Sequence, residues 1–333
     1  MLFIFVSDIN IMWQLPPYDQ TKLAPFIQRI EGKKASLDRM RPLPASILAR
    51  IEETIAVEWT FNSNAIEGNT ITHNETKLVL ELGITVGGKS LREHLEVYNH
   101  QKAIQYLYTL VHNNHPLRAI DILKLHEIVM RSIDDDFAGR VRNAGVRITG
   151  ANFTPPAAHK ASDLLDELVV ITENQFLLNQ PLLFAAWFHH RFVWVHPFFD
   201  GNGRTVRLLM NLLLMRAGYP PAIILKNDRK KYYDALNAAN NGKYNKLYLL
   251  VLQAVERSLN IYLQGAPGYA LEEEYQVISN LVEETQMPYS AEYISLLARQ
   301  GKIDAYKEGR NWLTSKTAVE NYMQQRRRVR SKG

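Results

Sequence analysis

Hydrophobic residues recur with helical spacing over most of the chain, between residues 43 and 263. Four residues of the segment 45–59 fall on one helix face: Ile47, Ile51, Ile55 and Trp59. The segment 181–195 is almost continuously apolar, which predicts a helix buried on all sides. The pattern therefore predicts a mainly α-helical protein.

The pattern changes beyond the Pro/Gly run at 265–268, which indicates a domain boundary. Two short helices are predicted at 271–285 and 290–300, the second with a serine N-cap. The segment 302–314 is predicted to form two strands that turn at Gly309, before a final helix. This order resembles helix-turn-helix modules of the winged type.

A second break in the helical pattern lies at 141–156, where short β-branched alternation is bounded by glycines and two prolines. The segment is predicted to be a small β-hairpin, and a plain surface loop is the alternative. Four regions are then predicted along the chain. They are an N-terminal helical region at 1–110, a helical core at 111–264, a winged helix domain at 268–325 and a basic tail at 326–333.

Composition narrows the chemistry that the chain can perform. Its 333 residues include no cysteine, which excludes disulfides, thiolate catalysts and thiolate metal sites. This usage is compatible with a reducing compartment, and we expect a cytoplasmic location. The apolar run at 1–13 is interrupted by Asp8 and is too short to span a membrane, so we expect no membrane association.

One short run, at 196–207, contains most of the candidate catalytic and binding residues. Its sequence is His-Pro-Phe-Phe-Asp-Gly-Asn-Gly-Arg-Thr-Val-Arg. His196 is its only group whose ordinary pKa lies near neutrality, so it is the candidate proton acceptor. Asp200 is a hard oxygen donor, suited to a Mg²⁺ ion shared with phosphates. These residue types at this spacing are the ones needed to bind a nucleotide polyphosphate and transfer part of it.

The second half of the run predicts an anion site at the start of a helix. Gly201, Asn202 and Gly203 let backbone N–H groups converge without obstruction by Cβ atoms. From Arg204 onward the sequence is helical, so the site meets the positive end of a helix dipole. Arg204 and Arg207 project from one helix face, as two successive phosphates require. The alternative is an ordinary helix N-cap with a satisfied histidine and solvated arginines, which fits each residue singly but not the whole run.

The run resembles the active-site motif of the Fic family, His-Pro-Phe-x-Asp-Gly-Asn-Gly-Arg-x-x-Arg, at every fixed position. Members of that family transfer AMP from ATP to a Ser, Thr or Tyr hydroxyl of a protein. The resemblance implies a Fic-type helical core in which His196 deprotonates the target hydroxyl and Asp200 holds Mg²⁺ against the α- and β-phosphates. It also implies that 201–203 line the anion hole, that Arg204 contacts phosphate and that Arg207 fixes the γ-phosphate.

A second stretch resembles the inhibitory motif of the same family, Ser/Thr-x-x-x-Glu-Gly/Asn, through Ser63, Glu67 and Gly68. Glu67 is predicted near a helix C-terminus, where the dipole disfavours a carboxylate, so another group must hold it. A solvated glutamate at an ordinary helix end is the alternative. The resemblance implies a bidentate pair between Glu67 and Arg207 that leaves ATP in an unproductive pose, and we therefore expect the protein to be autoinhibited.

The resemblance also implies partners. The segment 141–156 is similar to the flap on which a target peptide adds as a strand. Tyr232, Tyr233 and Asn240 are the candidate adenine contacts, although tyrosines on a helix more often belong to the core. Relatives often dimerise, so a homodimer is compatible with the resemblance. In some relatives the inhibitory glutamate also assists the removal of AMP, and the sequence leaves that activity open.

Two other functions stay open at the level of sequence. The first is a nucleotide-sensing DNA-binding regulator that uses the segment 290–316, which has five bases and three acids. The wider segment 268–323 has nine acids and five bases, so its signal for duplex binding is weak. An intact His196 favours an enzyme over a sensor. The second is a transferase with another nucleotide donor; a branch of the family that phosphorylates lacks the first glycine of the nest, and Gly201 is intact here.

Overall fold

The computed structural model describes residues 15–113, 115–148, 150–174, 178–266, 275–285, 287–308 and 310–330. The predictions for residues 1–13 and for the turn at Gly309 lie outside these residues, as do the side chains of the predicted basic tail. The chain divides into two compact units. One comprises Met1–Tyr18 and Thr54–Tyr248, and the other comprises Asp19–Glu53 and Leu249–Gly333.

Helices dominate both units, as the hydrophobic pattern predicts. In chain order they are α1 (Gln20–Arg39), α2 (Ala45–Ile66), α3 (His73–Leu82), α4 (Leu91–Asn113), α5 (Ala119–Met130), α6 (Ala161–Ile171), α7 (Pro181–Val195), α8 (Asn202–Arg216), α9 (Arg229–Ala239), α10 (Asn245–Gly265), α11 (Ile278–Thr285), α12 (Ala291–Arg299) and α13 (Lys316–Arg330). The mainly α class is thereby confirmed. No helix in the described part of the chain is long and apolar enough to cross a membrane.

Two buried helices of the first unit carry the 196–207 run at their junction. α7 begins at Pro181, a residue suited to a first helical turn, and is buried over most of its surface because its sequence is continuously apolar. α8 is buried to a similar degree and packs on α7 and α4. The residues between the two helices are therefore held at a fixed place in this unit.

The segment 141–156 differs from the predicted hairpin, since its described residues contain no strand. An isolated pair of strands is only marginally stable in water. Side-chain hydrogen bonds fix the segment in place of strand pairing. Arg142 donates to the carbonyls of His196 and Pro156, and Asn152 donates to the carbonyl of Asn237. The segment is an irregular loop that is held at two points, and we call it the flap loop.

The second unit contains the sheet. Its strands are β1 (Gln276–Val277), β2 (Ala305–Glu308) and β3 (Asn311–Thr314), in the spatial order β1–β3–β2 and with antiparallel pairing. The pair β2–β3 is the two-stranded element predicted at 302–314. The helix predicted at 271–285 begins only at Ile278, because β1 precedes it and pairs with β3.

The remaining C-terminal elements follow the predicted order. α12 is capped by Ser290, whose Oγ accepts a hydrogen bond from the N–H of Tyr293. Helix, helix, strand, strand and helix succeed one another as expected for a winged helix module. That assignment stays a prediction, as do the linear domain boundaries at 110 and 264; the compact units group α1 and the start of α2 with the C-terminal elements.

A buried ion cluster ties the second unit together. Arg29 on α1 makes two hydrogen bonds to the carboxylate of Glu256 on α10, at 2.8 and 2.9 Å. Lys33 Nζ lies 3.0 Å from Glu256 Oε1 and 2.7 Å from Asp304 Oδ1. The two cations and two anions balance, so each buried charge has a partner.

Candidate active site

The predicted base, His196, lies directly after α7. The chain turns there through the left-handed region, with a φ of 49° at His196, and the N–H of His196 donates to Phe192 O at 2.9 Å. Its ring Nδ1 lies 3.3 Å from the carbonyl oxygen of Val193. Because a carbonyl oxygen only accepts, Nδ1 carries the proton, and Nε2 keeps the lone pair that a general base needs.

The surroundings of His196 keep its imidazole neutral. Burial lowers its pKa to about 4, and the charge of Arg142 acts in the same direction. The Val193 carbonyl and the carboxylates of Glu67 and Asp200 oppose this shift without cancelling it. The imidazole is therefore able to accept a proton throughout the physiological pH range.

The glycines of the run allow a tight turn between α7 and α8. Gly201 has a φ of 74°, and a Cβ there would lie 2.8 Å from Met130 Sδ and 3.1 Å from His126 Nε2. The Asn202 side chain closes the turn, since it accepts from Phe198 N–H at 3.0 Å and donates to Phe198 O at 2.8 Å. α8 begins at Asn202, and the residues that carry its first free N–H groups line a cleft.

His126 on α5 supports this turn from behind. Its Nδ1 accepts from the N–H of Gly139 at 2.9 Å, so its Nε2 carries the proton and donates to Asp200 O at 2.9 Å. Its ring is stacked on Phe198, with 3.6 Å between centroids. Burial lowers the pKa of His126 to about 4, which keeps the ring neutral. The sequence did not assign His126 to the site, because only the fold brings it against the run.

Arg204 is buried in the wall of the cleft, with 2% of its surface exposed. Its Nη1 lies 3.4 Å from Glu96 Oε1, and its Nη2 lies 3.6 Å from Asp200 Oδ1. Both distances are long for hydrogen bonds, and Nε and Nη1 make none to the described residues. A buried guanidinium with unused donors is suited to phosphate oxygens.

Arg207 is held by the end of α2. Its Nε donates to Ser63 Oγ at 3.0 Å, and its Nη2 donates to Ser63 O at 2.8 Å. Nη2 also lies 2.7 Å from Glu67 Oε1. Burial disfavours the charge of Arg207, but the carboxylate of Glu67 outweighs burial and raises the pKa of Arg207 above its ordinary value. The structure thus brings together the residues of the two sequence motifs.

The Glu67–Arg207 pair is not bidentate, in contrast to the expectation from the resemblance. Ser63 takes Nε and shares Nη2, so Glu67 meets the guanidinium through Nη2, while Nη1 makes no hydrogen bond within the described residues. The carboxylate also lies against Gly203, where a Cβ would overlap Glu67 Oε1. Glu67 therefore occupies space beside the first turn of α8 as well as engaging Arg207.

The turn that presents Glu67 has its own supports. Gly68 follows with a φ of 106°, which a residue with a Cβ rarely adopts. The N–H of Asn69 donates to Asn64 O at 3.1 Å and closes the turn. Arg229 Nε donates to Ile66 O at 2.7 Å, so a cation caps the negative end of the α2 dipole.

Asp200 is the candidate metal ligand, and its carboxylate is half exposed. It accepts from Gly201 N–H at 2.6 Å and from Arg92 Nη2 at 2.7 Å. Burial raises its pKa, but the charge of Arg204 and these two hydrogen bonds outweigh burial and lower it overall, so the group is ionised. No group of three His, Asp or Glu side chains in the described residues could hold a metal alone. A single carboxylate beside a phosphate site fits a Mg²⁺ ion whose other ligands are phosphate and water.

A cleft of about 560 Å³, a volume ordinary for a small-molecule site, is lined by His196, Glu67 and the run 200–204; Arg207 lies behind Glu67 and is not among the lining residues. Its polar lining also includes two further arginines, Arg147 and Arg229. The apolar lining includes Val193 and Leu236, and the flap loop supplies one wall. The cleft therefore joins a polar surface suited to phosphates with an apolar surface suited to a flat base.

The three candidate adenine contacts have different surroundings. Tyr233 is half buried and lines the cleft, with the guanidinium of Arg229 5.0 Å from its ring centroid. Tyr232 also lines the cleft but is 2% exposed, and its hydroxyl lies 2.8 Å from His189 Nε2 in the core. Asn240 is not among the residues that line the cleft; it accepts from His190 Nε2 and donates to Asn152 Oδ1 of the flap loop, each at 2.8 Å.

Comparisons with known proteins agree with this geometry. A sequence profile of the Fic/DOC family matches residues 116–214, which include the run 196–207. A relative from Aedes aegypti named Protein adenylyltransferase Fic is 34% identical over 300 residues, and one of the same name from Culex quinquefasciatus is 38% identical over 239 residues. The alignments cover 87% and 71% of this chain but 58% and 47% of those relatives, so the chain spans about half their length.

A solved structure shows the same fold. Fic-1 from C. elegans is 31% identical to this chain, with a TM-score of 0.67. The superposition covers 72% of this chain and 72% of that structure. The chain is therefore similar to Fic-1 in fold as well as in sequence.

Proposed function

The chain belongs to the Fic family, and from this premise we propose that it is an autoinhibited protein adenylyltransferase. It transfers AMP from ATP to a Ser, Thr or Tyr hydroxyl of a target protein or of the chain itself. One observation carries the proposal: a neutral histidine, a glycine-containing helix start and a buried arginine with unused donors line one cleft, and a glutamate enters the same cleft. The first three are the requirements of nucleotidyl transfer, and the fourth opposes it.

The chemical step begins at His196. Its Nε2 takes the proton of the target hydroxyl as the hydroxyl oxygen attacks the α-phosphorus of ATP. The bond between the α-phosphorus and the bridging oxygen breaks, and pyrophosphate leaves with that oxygen. The protein holds the neutral imidazole in place with Nδ1–H directed at Val193 O, so Nε2 faces the reaction in the acceptor state.

The phosphates are held by groups that the structure leaves available. The first N–H groups of α8 and the guanidinium of Arg204 are proposed to take the α- and β-phosphates, where fixed donors stabilise the charge that develops. Asp200 is proposed to hold Mg²⁺, which when bound neutralises phosphate charge. Arg207 is proposed to fix the γ-phosphate. Adenine is proposed to lie against the apolar lining near Tyr233, with Tyr232 supporting from the core.

Inhibition follows from competition for one cation. Glu67 holds Nη2 of Arg207 at 2.7 Å and lies against Gly203, where the γ-phosphate would have to lie. Two anions cannot share this place without repulsion, so the triphosphate is displaced along the cleft. Transfer depends on an in-line arrangement of the attacking oxygen, the phosphorus and the leaving oxygen, and a displacement of about 1 Å costs about 100-fold in rate.

AMP transfer is not expected to fall at about pH 6.5, where an ordinary histidine base becomes protonated. A base whose pKa is lowered to about 4 loses its lone pair only as the pH falls towards that value, so activity should stay level from neutral to mildly acidic pH. The measurement is kcat/KM against pH in the Glu67→Gly variant. An acidic limb near the pKa of a free histidine, about 6.5, would contradict the buried neutral base.

Removal of the Asp200 carboxylate is expected to weaken the binding of Mg²⁺. In the Glu67→Gly background, Asp200→Asn should raise the Mg²⁺ concentration for half-maximal transfer by at least about tenfold, because an amide oxygen carries no net charge. The matched control is Asp234→Asn, an exposed carboxylate on α9. An unchanged Mg²⁺ titration would show that Asp200 does not hold the ion.

The experiment that tests the proposal is transfer of label from ATP labelled at the α-phosphate to protein, in the presence of Mg²⁺. Label should move to the chain itself or to a protein target once Glu67 is removed. Label that moves only from the γ-phosphate would indicate phosphoryl transfer instead, and label that moves from neither position would favour a nucleotide sensor.

A further inference from the structure

A buried arginine outside the 196–207 run connects the candidate base to the flap loop. Arg142 is 2% exposed, although it lies in an irregular segment. Its backbone N–H donates to Pro197 O at 2.9 Å, which anchors the flap loop to the residue after the base. Neither the motif nor its resemblance assigned a role to Arg142.

The guanidinium of Arg142 contacts two parts of the chain at once. On the side of α7, Nε donates to His196 O at 2.7 Å, and Nη2 donates to Val195 O at 3.4 Å. On the side of the flap loop, Nη1 donates to Ala144 O at 3.1 Å, and Nη2 donates to Pro156 O at 2.5 Å. All four acceptors are backbone carbonyls, and no carboxylate pairs with Arg142 in the part of the chain that the structure describes.

Burial of a guanidinium without an anionic partner lowers the stability of the folded state. Burial lowers the pKa of Arg142, yet an arginine remains charged in proteins, so its charge is desolvated without an anion. The carbonyls that it binds include the last ones of α7, which form the negative end of the helix dipole. The carbonyls at the end of α7 therefore stabilise the charge of Arg142, and Arg142 in turn fixes the orientation of those carbonyls.

The geometry at His196 shows what those hydrogen bonds control. His196 has a φ of 49°, a region that non-glycine residues enter only when their surroundings enforce it. The carbonyl oxygen of His196 is held by Arg142 Nε, so the orientation of the peptide that follows the base is fixed. Because the N–H of His196 is held by Phe192 O, a change in this φ would rotate the ring about the N–Cα bond, away from Val193 O, and change where Nε2 points.

We propose that Arg142 is a positioning residue, which holds His196 in its working orientation and couples that orientation to the position of the flap loop. The inference rests on the proposed function, because it assigns Arg142 a part in AMP transfer. Arg142 lies near the start of the flap loop, and its guanidinium also binds Pro156 O at the end of the loop. A target segment that docks on the loop thus acts on the base through the side chain and the backbone N–H of Arg142.

The test compares three changes in the Glu67→Gly background: Arg142→Gln, Arg142→Lys and Arg142→Gly. We expect kcat to fall by about 100-fold in each while KM for ATP stays unchanged, because a displaced base affects the chemical step and not nucleotide binding. Lysine should not rescue, since one ammonium cannot span four carbonyls as a planar fork does. Millimolar guanidinium ion should restore activity to Arg142→Gly only. Arg140→Gln, an exposed arginine two residues earlier, is the matched control.

A second readout does not depend on transfer. The ¹⁵N spectrum of the His196 imidazole, assigned with His196→Ala, should show one tautomer protonated at Nδ1 when Arg142 is present. In Arg142→Gln it should show a mixture of both tautomers, because the bond to Val193 O is no longer enforced. An unchanged tautomer in Arg142→Gln would overturn the inference, whether or not the parent variant transfers AMP. A parent variant that transfers no AMP would count against the proposed function, which is a separate result.

The remaining outcomes are equally decisive. An active Glu67→Gly parent whose Arg142 variants keep full kcat would overturn the positioning role and leave the proposed function intact. Variants that lose binding of a non-reactive ATP analogue together with activity would also overturn it, because Arg142 would then support the fold and not the base. Rescue by lysine would also overturn it, because a charge alone, without the fork that binds four carbonyls, would then be sufficient.

Discussion

Replacement of Glu67 by glycine is expected to raise AMP transfer by at least about 100-fold, the scale of rate lost when a reacting group is displaced by about 1 Å. The change removes the carboxylate that lies 2.7 Å from Arg207 Nη2 and against Gly203. Arg207 then has Nη1 and one N–H of Nη2 available for a γ-phosphate, while Ser63 still accepts from Nε and from the other N–H of Nη2. The measurement is incorporation of α-labelled phosphate into protein by the wild type and the variant, at equal concentrations of ATP and Mg²⁺.

Two controls separate inhibition from a general loosening of α2. Glu67→Gln keeps the size of the side chain and removes its charge, so it should also activate, because repulsion of the γ-phosphate is lost. Glu53→Gln changes an exposed glutamate on the same helix and should leave transfer unchanged. Equal labelling by the wild type and Glu67→Gly would sink the autoinhibition account, since it would mean that the pair with Arg207 does not limit the reaction.

The second large effect is expected at His196. In the Glu67→Gly background, His196→Ala should lower transfer by about 1,000-fold, within the range that general-base catalysis contributes. The imidazole is neutral and its Nδ1–H bonds to Val193 O, which leaves Nε2 as the proposed proton acceptor. The variant should bind a non-reactive ATP analogue as tightly as its parent, because the phosphate-binding groups on α8 are untouched.

The control for this change is His112→Ala, an exposed histidine on α4, which should transfer AMP at the rate of its parent. A His196→Ala variant that retains most of the transfer would contradict the assignment, and the proton would then have to go to solvent or to another group. A variant that loses ATP-analogue binding would instead assign His196 to the binding of the nucleotide.

The sequence predicted the parts of the site whose chemistry is local. The run 196–207 contains a candidate base, a carboxylate, a flexible turn and two arginines. Their closeness in sequence places them together, and helix periodicity puts the two arginines on one face. The separate prediction that Glu67 meets Arg207 joins residues far apart in the chain, and the 2.7 Å contact bears out their proximity. The role of that contact in inhibition remains for the labelling experiment.

Other features depend on contacts that no local pattern contains. No motif in the sequence marks Arg142 or His126. They reach their partners only because the flap loop and α5 pack against the 196–207 run. The expected bidentate pair did not form: Ser63 accepts from Nε and Nη2 of Arg207, Glu67 meets Nη2, and Nη1 makes no hydrogen bond within the described residues. The hairpin predicted for the flap loop did not form, and side chains bind backbone groups that a ladder would otherwise pair: Arg142 donates to the carbonyls of Ala144 and Pro156. Asn237 likewise accepts from the N–H of Asn152 and donates to Gly150 O.

The most direct test of the account is one labelling experiment with ATP labelled at the α-phosphate, Mg²⁺ and three proteins: the wild type, Glu67→Gly, and Glu67→Gly combined with His196→Ala. The account predicts strong transfer of label by Glu67→Gly alone, with weak transfer by the wild type and by the double variant. Absence of transfer in all three would contradict the assignment of AMP transfer, and equal transfer in all three would contradict both the inhibitory glutamate and the catalytic histidine.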